Sequence, residues 1–140
     1  MSRIFWDTNL FVYLFEDYSG LSKEVDALRR RMLTRGDQLF ASTMTLGEVL
    51  VKPMERGDEE LRRSYWDVLT QTATLLPFDR EAAVQYAAIR KDRSVKAPDA
   101  IQLACAAQAQ IDLFITNDDH LRGKVVPGIQ FIVPLKRAVL

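Results

Sequence analysis

Arg3-Ile4-Phe5-Trp6-Asp7-Thr8-Asn9 is the stretch on which the reading of this chain turns. A short apolar run stops abruptly at a carboxylate, a hydroxyl and an amide, and a second apolar segment, Leu10 to Phe15, follows at once. The pattern predicts a buried strand over Arg3 to Trp6, with Asp7 as the first residue beyond its end. Open α/β sheets bind their ligands past the carboxyl ends of the strands. An acid at that point is a candidate for chemistry if the rest of the chain brings partners to it.

Working outward, Asn9 to Phe15 reads as a short helix, broken at Tyr18-Ser19-Gly20. Leu21, Val25, Leu28 and Met32 then mark one helical face, and Gly36-Asp37 ends that helix. Gln38 to Ser42 predicts a second strand. Thr43 to Val51 predicts a helix stopped by Pro53, because the residue before a proline is pushed out of helical geometry. Gly57-Asp58-Glu59-Glu60 marks a helix start with acids in its first turn, and Leu61, Tyr65, Val68 and Leu69 form its apolar stripe. Thr74 to Leu76 predicts a third strand. Asp79 caps a helix running to about Asp92 with Val84, Ala87 and Ala88 inward. Ser94 to Ala97 is a loop, and Pro98 fits the first position of a helix that ends at Gln108. Leu113 to Ile115 predicts a fourth strand, Thr116 to Leu121 a turn and short helix, and Ile129 to Val133 a last, edge strand before Pro134. Strands alternating with helices imply an α/β protein with a mostly parallel central sheet covered on both faces.

Composition narrows the function classes. At 140 residues the chain is expected to form a single domain, residues 1–140, with a real core. Lys and Arg together number 19, as do Asp and Glu, so no bulk field draws the molecule to nucleic acid or membrane. Any polyanion contact must come from a local patch. One cysteine, Cys105, leaves no internal disulfide and fits a reducing, cytoplasmic setting; its Ala-rich surroundings mark it as a core residue. No apolar run reaches the roughly 18 residues of a membrane span, and no signal-peptide segment is expected at the N-terminus. A single histidine, His120, cannot build a multi-His zinc site.

Four carboxylates stand out: Asp7, Glu48, Asp99 and Asp118. Each has a purely structural reading. Asp7 can cap the helix after the first strand. Glu48 closes Thr45-Leu46-Gly47-Glu48, a capping-box pattern. Asp99 complements a helix macrodipole, and Asp118 suits a turn or N-cap. Taken together they point elsewhere. Asp7 and Asp118 directly follow strands, Glu48 lies in the helix that leaves the second strand, and Gly47 beside it removes a side chain. Like charges at one rim of a parallel sheet are costly unless a cation neutralises them. Oxygen ligands without Cys or His suit Mg²⁺ or Mn²⁺, which clamp phosphate oxygens and activate water for in-line displacement.

These segments resemble PIN-domain ribonucleases, specifically the VapC-type toxins of toxin–antitoxin pairs. Phe5-Trp6-Asp7-Thr8-Asn9 is similar to the family's strand-ending acid. Ala41-Ser42-Thr43-Met44-Thr45-Leu46-Gly47-Glu48-Val49 is similar to its second-acid segment. Ala97-Pro98-Asp99-Ala100-Ile101-Gln102-Leu103-Ala104-Cys105-Ala106 resembles its third, and Phe114-Ile115-Thr116-Asn117-Asp118-Asp119-His120-Leu121 its fourth. The resemblance implies a three-layer α/β/α sandwich and a Mg²⁺ or Mn²⁺ site made by Asp7, Glu48, Asp99 and Asp118. Asn9 and Thr116 would support that site, with Asp119 the alternative fourth acid. It further implies endoribonuclease activity on an RNA substrate, a homodimer, and a cognate antitoxin whose C-terminal segment covers the active site.

Acids repel phosphate, so an RNA needs a cationic approach. Arg90, Lys91, Arg93 and Lys96 cluster just before Asp99 and are the candidates, with a solvated helix end as their alternative. Arg29-Arg30-Arg31 and Arg62-Arg63 read as solvated or partner-binding helix faces, and Trp66 as core or a partner contact. Two other functions compete: a non-catalytic PIN-like interaction scaffold, and an aspartyl-phosphate phosphatase with Asp7 as nucleophile. Asn9 stands where such a phosphatase commonly carries its second acid.

Overall fold

A computed structural model describes residues 1–16, 20–138 and 140. Five strands, β1 (Arg3–Trp6), β2 (Gln38–Ser42), β3 (Thr74–Leu76), β4 (Ile111–Ile115) and β5 (Ile129–Val133), form one sheet in the order β3-β2-β1-β4-β5. All four neighbouring pairs are parallel. The helices are α1 (Thr8–Glu16), α2 (Leu21–Arg35), α3 (Thr43–Arg56), α4 (Glu59–Thr72), α5 (Arg80–Ile89) and α6 (Ala97–Gln108).

Period-two alternation in the central strand divides the core. Ile4 and Trp6 face one side, where they pack with Leu10, Phe11, Val25, Leu28, Met32, Val49 and Leu69 from α1 to α4. Phe5 faces the other, where it joins Phe40, Leu103, Phe114 and Ile129 beneath α6. Phe5 and Phe114 stack across β1 and β4 with centroids 4.8 Å apart. The sheet is thus buried on both sides, as parallel sheets require. The result is an α/β/α sandwich. Among the described residues no helix is long and apolar enough to cross a membrane.

The strands over residues 3–6, 38–42, 74–76 and 129–133 lie where the sequence predicts them, and the fourth begins two residues earlier, at Ile111. Of the break expected at Tyr18-Ser19-Gly20, Tyr18 and Ser19 lie outside the described residues; Gly20 precedes α2 in left-handed geometry with φ 68°. Three expectations need correction. First, α3 does not stop before Pro53 but continues to Arg56. Thr45, Val49 and Pro53 share the buried stripe of α3, and the Pro53 carbonyl accepts the Asp58 N–H at 2.9 Å in a left-handed ending at Gly57. Burial and this terminal bond outweigh the donor that proline lacks.

Second, α5 ends at Ile89, and Asp92 instead folds a turn, accepting the Ser94 N–H at 3.0 Å. Third, Val84, Ala87 and Ala88 point outward; Val84 is 70% exposed. The inward face carries Ala82, Tyr86 and Ile89, because Ala82 sits against Ala104 and Cys105 in the contact between α5 and α6. Small residues on both helices let the backbones approach, and that contact sets the rotation of α5.

Candidate active site

Since β1 lies between β2 and β4, the ends of these three strands share one rim, and α6 brings its first turn to the same place. A cleft of about 330 Å³ opens there, lined by Asp7, Thr8, Asn9, Glu48, Asp99 and Asp118 among others. All four acids singled out by sequence therefore face one cleft. Asp119 does not line it: its side chain is 82% exposed and pairs with Arg122 at 2.9 Å. Of the adjacent pair, Asp118 is the one in the cleft.

Asp7 is anchored rather than merely capping. Its Oδ1 accepts the Thr8 N–H at 2.8 Å, and its Oδ2 accepts the Thr116 hydroxyl at 2.7 Å. The Thr116 oxygen also accepts the Asp118 N–H at 3.0 Å and an Asn9 amide proton at 3.3 Å. One hydroxyl thus ties the ends of β1 and β4 together. Asn9 Oδ1 accepts the Asn117 N–H at 3.4 Å. Burial pushes the Asp7 carboxyl above its ordinary range, opposed by these hydrogen bonds and reinforced by the charges of Glu48 and Asp118.

Asp99 stands in the first turn of α6, half-buried. Its carboxyl is pushed up to about 6 by burial first, then by the charges of Asp118 and Asp7. Asp118 accepts both the His120 N–H at 2.9 Å and a His120 ring nitrogen contact at 3.0 Å. Burial would raise Asp118, but its bonds with His120 prevail and hold it below the ordinary value. Two acids pushed in opposite directions in one cleft share their proton unequally.

Glu48 is exposed, and its Oε1 accepts the Thr8 hydroxyl at 2.7 Å. The capping-box reading of Glu48 does not hold. Ser42 is the N-cap of α3 and accepts the Thr45 N–H at 3.2 Å, leaving Thr45 inside the helix. Sequence reasoning also passed over Thr8, Ser42, Thr45 and Gln102, which form a connected polar core behind the acids. One signal was available: Gln102 is the polar residue in Ala100-Ile101-Gln102-Leu103-Ala104-Cys105, three positions after Asp99 and so on the same helical face.

The donor set fits a hard divalent cation. It is made of carboxylate oxygens, and among the described residues neither Asp7 nor Asp99 pairs with a Lys or Arg. Both are raised, so both gain from a positive charge. Yet among the described residues no three acidic, His or Cys side chains converge closely enough to hold a metal ion as they stand. The basic residues lie apart. Arg90, Lys91 and Arg93 line a shallow depression with Ala87, and Lys96 precedes α6; none lines the carboxylate cleft.

The PIN-domain family model matches residues 4–124. No curated protein sequence matches the chain. A solved toxin–antitoxin complex from Klebsiella pneumoniae contains a similar chain, 25% identical, with TM-score 0.66, covering 90% of this chain and 94% of that one. VapBC2 from Rickettsia felis, bound to a DNA fragment from its promoter, is 14% identical with TM-score 0.69, covering 94% and 98%. FitAcB from Neisseria gonorrhoeae is 23% identical with TM-score 0.61, covering 82% and 87%.

Proposed function

Because the chain belongs to the PIN-domain family, we propose that it is a Mg²⁺- or Mn²⁺-dependent endoribonuclease, the toxin of a type II toxin–antitoxin pair acting in the cytoplasm. One observation carries this reading: four separate segments each deliver one acid, Asp7, Glu48, Asp99 and Asp118, to a single open cleft. A cleft of carboxylates repels phosphodiesters unless cations sit between them, which makes a metal-dependent phosphoryl reaction the natural chemistry. A divalent cation held by these acids would supply the charge neutralisation and water activation that hydrolysis needs.

The chain's own residues have separable tasks. Asp7, buried and held by Thr8 and Thr116, is the rigid anchor. Asp99 and Asp118 form the opposite wall, and Glu48 reaches in from α3. His120 restrains Asp118 rather than serving as a base. Arg90, Lys91, Arg93 and Lys96, in the connection leading to α6, would hold the flanking phosphates of an RNA strand. The absence of an acid at Asn9 disfavours the aspartyl-phosphatase alternative, and four acids in one cleft disfavour a scaffold without chemistry.

An apolar groove adjoins the cleft and supports the antitoxin partner. It encloses about 380 Å³ between α1, α3 and α4, is lined by Val12, Phe15, Val49, Val51 and Tyr65, and shares Val12 and Glu48 with the cleft. An amphipathic antitoxin segment lying there would reach the acids with its next residues. The homodimer is part of the same proposal.

The test is cleavage of a panel of tRNA, rRNA and synthetic RNA in MgCl₂, MnCl₂ or EDTA, with Asp7→Asn and Asp99→Asn beside wild type. Cuts that require the metal and fall by about 10²-fold or more in both folded variants are expected. Well-folded wild type that neither cuts RNA nor gains thermal stability from metal would overturn the reading in favour of a scaffold.

A further inference from the structure

Gln102 is 2% exposed on a helix face otherwise built from alanine, leucine and cysteine. Its Nε2 donates to Thr8 Oγ1 at 2.9 Å and to Thr45 Oγ1 at 2.8 Å, and its Oε1 accepts from the Ser42 hydroxyl. The two threonine oxygens lie 2.8 Å apart, and Thr8 donates to Glu48 Oε1 at 2.7 Å. These contacts use every proton once. A hydroxyl has one proton and two lone pairs. If the Thr8 proton goes to Glu48, the contact between the threonines must carry the Thr45 proton. The remaining lone pairs then receive the two amide protons of Gln102.

Turning the amide over breaks this count. Its oxygen would lie between the threonines, both hydroxyls would turn to donate into it, and their mutual contact would hold no proton. Glu48 would lose its donor as well. Only one orientation satisfies the whole set; the Ser42 hydroxyl, able to donate or to accept, suits it by donating to Oε1.

We propose that Gln102 is the positioning residue of the carboxylate cleft: it sets the direction in which the Thr8 hydroxyl donates, and so pins the exposed Glu48 side chain toward the other acids. The inference rests on the nuclease reading above for what a pinned Glu48 is for. The described hydrogen bonds of Gln102 go to Ser42, Thr8 and Thr45 and not to the acids; it acts through Thr8. Because Gln102 and Asp99 stand three apart on α6, one helix both supplies an acid and orients another.

Calorimetric titration of Mn²⁺ into the full chain without RNA tests the proposal. Gln102→Met, close in length but without the amide, and Thr8→Val should each weaken Mn²⁺ binding about tenfold, as losses of orienting partners do. Thr8→Ser, which keeps the hydroxyl, should bind like wild type. The double variant Gln102→Met with Thr8→Val should bind no more weakly than the weaker single. Folded Gln102→Met with wild-type affinity, or losses that multiply, would overturn the proposal. Gln102→Glu, which draws both hydroxyls to itself, replaces Gln102→Met if that variant does not fold.

Melting in EDTA separates this inference from the nuclease reading. Gln102→Met and Glu48→Ala should be non-additive in melting temperature although the described hydrogen bonds join the two side chains only through Thr8, and additive once Thr8→Val removes the link. A wild type that takes up no Mn²⁺ would sink the metal reading, and the EDTA cycle would still decide the role of Gln102. Additive shifts with Thr8 present would refute it.

Discussion

Asp99 concentrates the electrostatics of the cleft in one residue. Its carboxyl ordinarily titrates at 3.8 and here at about 6. Between those values the folded chain holds more protons than the unfolded one, so stability is full below the lower value and declines as pH rises through the upper. Asp118 moves the opposite way: its contribution is present above its ordinary 3.8 and lost as pH falls through its lowered value. The two windows do not overlap. Asp99→Asn should therefore shrink the decline between pH 4 and 6 in EDTA, leaving the part due to Asp7, whose carboxyl is raised as well. At neutral pH it should add about 1 kcal/mol, a figure reduced from the full shift because the carboxyl is only half-buried. Thermal melts across pH read this directly, and identical wild-type and variant profiles would contradict it. The acids themselves were legible in the sequence, since each follows or flanks a recognisable local element. Gln102 was not. An amide within an alanine-rich run looks like ordinary helix surface until its neighbours bury it.

At the scale of elements, strand positions follow from local apolar runs, while helix phase and endings depend on what they touch. Asp79 caps α5 as expected, its Oδ1 accepting the Ala82 N–H at 2.9 Å. The cap says nothing about which face turns inward, and the contact of Ala82 with α6 settled that against Val84. Pro53 shows the same dependence: the restriction a proline places on the residue before it is overcome in α3, where Pro53 is buried. The entry to β5 offers a sharp test. Gly128 adopts φ 96°, and a Cβ there would stand 2.5 Å from the Ala107 carbonyl oxygen. The Gly128 carbonyl meanwhile accepts the Ile111 N–H at 3.0 Å, joining the starts of β4 and β5. Gly128→Ala should cost about 2–3 kcal/mol through backbone strain and this clash. Urea denaturation should show a lower midpoint at an unchanged slope; an unshifted midpoint would show that the turn can relax.

Over the whole molecule, balanced charge means that any attraction to the proposed RNA substrate must be local. The connection between α5 and α6 supplies Arg90, Lys91, Arg93 and Lys96 without placing any of them in the carboxylate cleft. Their effect should accordingly be on substrate approach and not on chemistry. Lys91→Ser with Arg93→Ser should raise KM about three- to tenfold and flatten the salt dependence of cleavage, leaving kcat within about twofold. Steady-state cleavage at two salt concentrations distinguishes the cases. A fall in kcat at constant KM would assign these residues to the reaction itself.

By itself the sequence determined the α/β class, most strand positions, the N-cap at Asp79 and three of the four cleft acids, with the fourth narrowed to Asp118 or Asp119. Apolar runs, caps and strand-ending polar residues act within a few residues of chain, where their physics is already complete. Tertiary structure decided the strand order that sets β1 between β2 and β4, the choice of Asp118 over Asp119, the rotation of α5 and the polar core around Gln102. The bond from Thr116 to Asp7 spans 109 positions, and such pairings depend on sheet order and on which helix faces are covered. Neither is written in any local window of the chain.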